Sequence, residues 1–598
     1  MNTIITGRLD SFRASMREAG IAAAIIPQTD PHQSEYLAEH WQVRQWLSGF
    51  TGSAGTLVIT LDSALLWTDS RYFIQAAQQL EGTGIKLMKE GLDDTPTIEG
   101  WLCDTIAEDS SVGVDGMVFS AMAVERMRGI FSRHGITLDT ACSPIDALWT
   151  SRPSLPSDPV FLHEEKYAGE SASSKIARVL SAAEASGADS VFISALDEIA
   201  WVLNLRSSDV PCNPVATAFL YLTAGSGVLF IDESKIDDKV RRYLSDCGVD
   251  VAPYDNVSRF LALLPAAARV LVEPARTAYT LASVIGKHLV AGPSAVAMLK
   301  AVKNPVQIQG VHNAMARDGV ALVKLFMEIE RRLDAGEPLT ELDVAALGTR
   351  YRAESPEYVD DSFEMIAGYG PHGAIVHYSA TQESSVEIKP EGLLLVDSGA
   401  QYPDGTTDIT RTVCLGTPTA QERTDFTLVM KGHIALGTAV FPRGTRGDQL
   451  DALARQYLWS RGLTYLHGTG HGVGHFLNVH EGPQSIRLNH VNVGIVPGMI
   501  TSNEPGLYRE NIHGIRCENL VLAVPAEVSN AEFGEFLRFE TLTLFPFDLK
   551  LFDTSLMTDE EIAWINSYHE RVSSTLMPLL STDAQREWLT SKTLPLCR

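Results

Sequence analysis

The chain has 598 residues, 45% of them apolar and 20% charged, with a net charge of −26. That length exceeds what one core can fill and predicts three or four domains. The acidity argues against nucleic acid and anionic membranes as partners, and no stretch approaches the run of about 18 apolar residues that a membrane span needs.

The first twenty residues, MNTIITGRLDSFRASMREAG, carry Arg8, Arg13 and Arg17 and no long apolar run. They read as an amphipathic first helix and not as a signal peptide. Two later segments look alike in outline: WLSGFTGSAGTLVITLDSALLWTDSRYF (46–73) and WVLNLRSSDVPCNPVATAFLYLTAGSGVLFID (201–232). Each passes from helix through a polar turn into alternating strands, a pattern compatible with a duplication that the literal identity is too thin to prove. Between them SRPSLPSDPVF (151–161) reads as a linker. A second proline-marked break near LKAVKNPVQ (299–307) opens a helical pattern of about 30 residues. Beyond residue 390 the text reads mostly as strands and hairpins. The end returns to helix, where Thr558 and Glu561 form a capping-box signature. The seven cysteines include no CxxC pair, so they are expected to be reduced thiols in a reducing compartment. Domains are expected at 1–155, 156–300 and 301–598, of α/β and α+β class, with the chemistry in the third.

In LLLVDSGAQYPDGTTDITRTVCLG, two strand-like runs flank a PDG turn. Asp397 ends the first run and Asp408 begins the second. On one extended strand the two would lie roughly 36 Å apart and on opposite faces; a hairpin can bring them together on neighbouring strands. Glu504 and Glu518 repeat the arrangement, with Gly506 and Gly514 between them. Carboxylates on buried strands are expensive unless a cation pairs with them.

HGTGHGVGHFLNVHEGP (467–483) holds four of the sixteen histidines. So many glycines exclude a helix. In extended backbone His467, His471 and His475 share one face and Gly468, Gly470, Gly472 and Gly474 the other, where a second backbone can approach closely. If the four carboxylates and one imidazole converge, two divalent cations would neutralise them. An oxygen-rich donor set favours a harder ion such as Mn2+ over a thiolate-type zinc site. Such a pair activates water for hydrolysis, but the spacing does not say which bond is cut.

DSGAQYPDGTTDIT, HGTGHGVGHFLNVHEGP, NEPGLY and GIRCENL resemble the ligand motifs of the dimetal pita-bread peptidases. The likeness extends over nearly the whole chain to the Xaa-Pro aminopeptidase (aminopeptidase P) family in its three-domain, cytosolic form. DPHQSEYLAEH, SGFTGSAGT, LLWTDSRYFIQAA, ISALDEIAWVLNLRSSDVPCNPV, AMLKAVKN and GPHGAIVHYSA carry it. The resemblance implies two creatinase-like N-terminal domains followed by a C-terminal pita-bread catalytic domain with a helical tail. Asp397, Asp408, His471, Glu504 and Glu518 match the five metal ligands, with Asp408 and Glu518 bridging two ions. The metal implied is Mn2+, with Zn2+ or Co2+ as alternatives. His377 and His480 match histidines that steady the scissile carbonyl and the tetrahedral intermediate, and Glu504 the proton shuttle. His467, Tyr508 and Arg516 match further cleft positions. Arg71 matches an arginine that reaches the peptide from an N-terminal domain, while His475 matches no assigned role. The expected activity is release of the N-terminal residue from peptides with proline second, by a cytoplasmic homodimer. The alternatives are a prolidase-type dipeptidase and a catalytically inactive pita-bread binding protein.

Overall fold

The computed structural model describes residues 2–530 and 532–598. It divides into two units: residues up to 164 with Glu170–Val296, and Glu165–Gly169 with Ala297–Arg598.

In the first unit, helix Asn2–Ala19 buries Ile5, Leu9, Phe12 and Met16, the helical spacing of an amphipathic face. Two six-stranded sheets follow. The first runs Lys86–Lys89, Ala64–Thr68, Thr56–Thr60, Ala23–Ile26, Ser111–Gly113, Thr137–Asp139. The second runs Val249–Ala252, Ser226–Ile231, Ala218–Thr223, Ser190–Ile193, Val270–Val272, Leu289–Ala291. Across each sheet the pairings go parallel, antiparallel, antiparallel, parallel, parallel. The two sheets therefore share one topology, which is what a duplication produces. Residues 152–160 between them hold no helix or strand, in keeping with their prolines, which supply no N–H to a ladder.

The second unit opens with the helix expected after the proline break. Asn304 caps Pro305–Asp334 in a reciprocal pair with Gln307, and Pro305 stands at the first turn, where a missing N–H costs nothing. One face of this helix, including Leu322, Phe326 and Ile329, enters a core shared with Leu394, Val396, Leu520, Leu522 and Phe545. Strand Leu393–Ser398 lies between Ile366–Tyr369 and Ile409–Cys414. A four-stranded sheet runs Val440–Pro442, Phe536–Thr541, Asn519–Pro525, Ile500–Asn503. The Thr558–Glu561 capping box starts helix Asp559–Leu576 as the sequence predicts.

The region beyond 390 is less uniformly β than its text suggests. Helices Ala420–Gly437 and Gly447–Trp459 interrupt it. The first is buried along most of its length, from Asp425 to Gly437, so its sequence lacks the one-sided apolar stripe that marks a surface helix. Among the described residues no helix is long and apolar enough to cross a membrane.

Candidate metal centre

Two hairpins build the site. Leu393–Ser398 and Ile409–Cys414 run antiparallel with Asp397 opposite Thr410. Between them the chain narrows into a second ladder, Ala400–Tyr402 against Gly405–Thr406. The step between the ladders falls at Gly399, where a Cβ would stand 2.0 Å from the Thr407 carbonyl oxygen. In the other hairpin Gly506–Arg509 pairs with His513–Arg516, and below it Asn503 faces Asn519. Glu504 and Glu518 occupy the junctions between those two ladders. Both hairpins thus step from one ladder to another; Asp408, Glu504 and Glu518 stand at the steps, and Asp397 in the ladder just before one.

Strand Gly470–His471 pairs with Ser485–Ile486 and delivers the imidazole. One ligand atom each from Asp408, His471 and Glu518 lie within 4.8 Å of one another. His471 Nε2 is 3.4 Å from Asp408 Oδ2 and 3.5 Å from Glu504 Oε1. Its Nδ1–H donates to the Gly472 carbonyl at 3.0 Å, which orients the ring with Nε2 toward the carboxylates. The glycine reading holds here: a Cβ on Gly470 would stand 2.0 Å from the Ser502 carbonyl oxygen, so only glycine lets the two backbones meet.

The electrostatics describe a place short of positive charge. Burial, opposed by Arg516 and reinforced by Asp408, lifts the Asp397 carboxyl to about 6. Burial also lifts Glu504 against the pull of His471 and Arg516. Burial and the charges of Asp408, Glu504 and Asp397 push Glu518 well up. For His471 burial pulls down, but the Asp408 hydrogen bond and the charges of Glu504 and Asp408 outweigh it and raise the ring to about 9. Asp397 Oδ1 is buried and accepts no hydrogen bond among the described residues. Four carboxylates, one of them with an orphaned oxygen, and one imidazole form a donor set that fits hard divalent cations, and two such charges would relieve the repulsion.

Around this cluster, Arg516 donates to Asp397 Oδ2 at 2.5 Å, to Thr410 Oγ1 at 3.1 Å and to the Tyr508 hydroxyl oxygen at 2.8 Å. His467 Nδ1–H donates to the Gly468 carbonyl at 2.7 Å, so its Nε2 accepts the Tyr508 hydroxyl at 2.8 Å. One chain of hydrogen bonds therefore joins Asp397, Arg516, Tyr508 and His467. The His480 ring stands edge-on to His471, centroids 4.3 Å apart. His377 is half-buried in the turn after Gly370–Ala374. Arg71 belongs to the first unit, where Asp69 holds it through hydrogen bonds of 2.9 and 2.7 Å.

The alternation expected along 467–475 stops short of His475. Gly472 and Val473 still donate to the Gln484 and Ile500 carbonyls at 3.2 Å each; then the chain turns, Gly474 N–H donating to the Asn478 carbonyl at 3.0 Å and Phe476 taking φ 50°. His475 is buried, 2% exposed, and does not continue a histidine face with His467 and His471.

Sequence reasoning also passed over side chains that hold these residues. Asp451 accepts from Thr469 and from Arg455, which in turn donates to the His467 carbonyl; the signal was an Asp and an Arg four apart on one helix. Glu481, next to His480, pairs with buried Lys300 and Lys303 at 2.9 Å each, the lysines of AMLKAVKN.

Family models match the chain in four consecutive stretches. The creatinase/prolidase N-terminal domain matches at 8–148 and, in a second form, at 151–307; metallopeptidase family M24 matches at 309–525; the C-terminal region of that peptidase matches at 535–596. Aminopeptidase P2 of Arabidopsis thaliana is 41% identical over 100% of this chain and 89% of its own length. A probable Xaa-Pro aminopeptidase P of Sordaria macrospora is 40% identical with 100% of both chains covered. The solved X-prolyl aminopeptidase of Caenorhabditis elegans, described as a cytosolic enzyme with a di-nuclear active site, is 34% identical and superposes with a TM-score of 0.96 over 100% of each chain. An Xaa-Pro dipeptidase of Bacillus anthracis, 20% identical, shares the fold over 63% of this chain and 99% of its own, with a TM-score of 0.50.

Proposed function

The chain belongs to the Xaa-Pro aminopeptidase (aminopeptidase P) branch of metallopeptidase family M24, and from that premise we propose how its site works. It is a metallo-aminopeptidase that releases the N-terminal residue from peptides with proline in second position. The observation that carries the site assignment is the meeting of Asp408, His471 and Glu518 within 4.8 Å, where the strand bearing His471 meets the two hairpins that also present Asp397 and Glu504.

Those five side chains would hold two divalent ions, Mn2+ by the oxygen-rich donor set. When bound, the ions supply Lewis acidity that polarises the scissile carbonyl and makes water a nucleophile near neutral pH. Glu504 carries the proton to the departing nitrogen. That nitrogen is the proline ring nitrogen, and the X–Pro amide has no N–H of its own. His480, edge-on to His471, and His377 donate hydrogen bonds to the carbonyl oxygen as it gains charge. Arg516 keeps Asp397 ionised and oriented and, through Tyr508, sets the tautomer of His467, which faces the peptide. The enzyme works in the cytoplasm, the setting described for the Caenorhabditis elegans counterpart, and as a homodimer, which sedimentation tests directly.

The test is reconstitution. Metal-stripped protein with Mn2+, Zn2+ or Co2+ is assayed on Arg-Pro-Pro, Ala-Pro and Ala-Ala-Ala. Cleavage of Arg-Pro-Pro with metal and none of Ala-Ala-Ala is expected. Cleavage of Ala-Pro alone would make the protein a dipeptidase, and no cleavage with any metal would make it a binding protein.

A further inference from the structure

The segment between strands Ile366–Tyr369 and Leu393–Ser398 carries His377, and one buried carboxylate holds it at four points. Glu341, the first residue of helix Glu341–Arg352, is 0% exposed. Its Oε1 accepts the Tyr369 N–H at 2.9 Å and His372 Nδ1 at 2.9 Å. Its Oε2 accepts the Tyr378 hydroxyl at 2.8 Å and the Val386 N–H at 3.1 Å. Tyr369 and Val386 bracket residues 370–385, so those two bonds hold both ends of the stretch that carries His377. His372 and Tyr378 lie inside it, their rings 4.5 Å apart, so the other two bonds fix its middle.

This is an expensive arrangement that the fold makes favourable. A fully buried carboxylate needs its lone pairs satisfied, and here four donors satisfy them with charge-assisted bonds. The first turn of a helix further favours negative charge. The opposite side of the segment is also fixed. Gly373 lies so close to Gly514 that a Cβ there would stand 1.6 Å from the Gly373 carbonyl oxygen. Gly514 belongs to strand His513–Arg516, whose last residue holds Asp397. The segment is therefore clamped between Glu341 and the strand that serves the metal centre. His377 is the residue before Tyr378.

We infer that Glu341 is the positioning residue for His377: by holding Tyr378 and both ends of the segment, it sets where the His377 imidazole stands. The inference rests on the reading of His377 as a cleft histidine, and it adds a determinant 36 residues earlier in the chain, outside the motifs that carry the resemblance.

The test uses the full-length, Mn2+-loaded enzyme as E341Q, Y378F, H377A and E341Q/H377A. Glutamine keeps the shape of Glu341 but turns one acceptor oxygen into a donor, so at least one of the four bonds is lost. For each variant kcat and KM on Arg-Pro-Pro, metal content and amide exchange of residues 369–386 are measured. Misplacement of a catalytic group predicts that E341Q and Y378F lose about 10- to 100-fold in kcat at unchanged metal content, with faster exchange confined to 369–386. It also predicts that E341Q costs less than about twofold more once His377 is already alanine. Parental kcat in both E341Q and Y378F overturns the inference, as does an equal loss from E341Q with or without His377. Parental activity in H377A overturns it differently, by removing the cleft role of His377 while leaving the metal centre untouched. Should E341Q fail to fold, Y378F, which removes the hydroxyl's bonds to Glu341 and to Ser384 and nothing else, carries the test.

Discussion

Thr410 and Glu518 join the two hairpins of the metal centre. The Glu518 N–H donates to the Thr410 carbonyl at 3.1 Å, and the Thr410 hydroxyl donates back to Glu518 Oε2 at 2.7 Å. The same hydroxyl oxygen accepts Arg516 Nε at 3.1 Å. Thr410 thus orients one carboxylate and the guanidinium that orients another. Valine in its place keeps the shape and removes both bonds. T410V is expected to weaken metal binding about 10- to 100-fold, the usual cost of losing a group that orients a ligand, with an unchanged far-ultraviolet circular dichroism spectrum. Chelator competition measures it, and parental affinity would show that Glu518 is held by its backbone alone.

Asp408 stands closest to His471 of the carboxylates, 3.4 Å from Nε2, and is 3% exposed. D408N keeps the volume and removes one charge from the group that two cations must balance. Turnover on Arg-Pro-Pro is expected to be nearly abolished and the metal content to fall below two per chain, while the folded structure persists. A folded D408N protein with full activity would sink the ligand assignment.

Arg411 ties the metal strands to helix Asp559–Leu576. It is buried and donates to the carbonyls of Glu518, Phe545 and Pro546, to the Asn519 side chain and to the Tyr568 hydroxyl. Its guanidinium also lies 3.9 Å over the Phe547 ring. Methionine would fill the space and leave several buried acceptors unpaired, each worth about 1–3 kcal/mol. R411M is expected to lower the urea midpoint by several tenths of a molar or more and to cut the yield of soluble protein. A midpoint within error of the parent would mean that water replaces the lost donors.

The two hairpins were legible because local chemistry specifies them. A PDG turn between apolar runs places Asp397 and Asp408 on neighbouring strands, and Glu504 and Glu518 follow the same grammar. The histidine stretch was harder, because strict alternation holds only where backbone pairing continues, and here the chain turns at Gly474, before His475. Helix Ala420–Gly437 hid because burial on most sides erases periodicity, although Thr419 and Glu422 form a capping box at its start. Glu341 was invisible for a different reason. Its partners stand 28 to 45 residues away, and only the tertiary fold brings them to one carboxylate.

Two histidines beneath the site give the protein an acid limit that does not involve its metals. Burial and the nearby Arg411 guanidinium hold His433 down to about 3 and His569 down to about 4. His433 Nδ1–H donates to the Cys517 carbonyl at 3.2 Å, and His569 Nε2 accepts the Phe547 N–H at 3.1 Å. Both rings are therefore neutral in the folded state down to pH values where the unfolded chain, with histidines near 6.5, has already taken up the protons. The unfolded state binds more protons through that window, so stability rises with pH there. Their contribution is complete above about pH 6.5 and is lost as the pH falls toward 4 and then 3, at up to about 1.4 kcal/mol per pH unit for each ring. H569Q, whose side-chain oxygen can still accept the Phe547 N–H, removes one of the two titrations. Urea midpoints of metal-free protein between pH 7 and 4.5 are expected to fall less steeply for H569Q than for the parent. Parallel slopes would mean that the His569 ring is protonated in the folded protein, with a rearranged Phe547 amide as the structural trace.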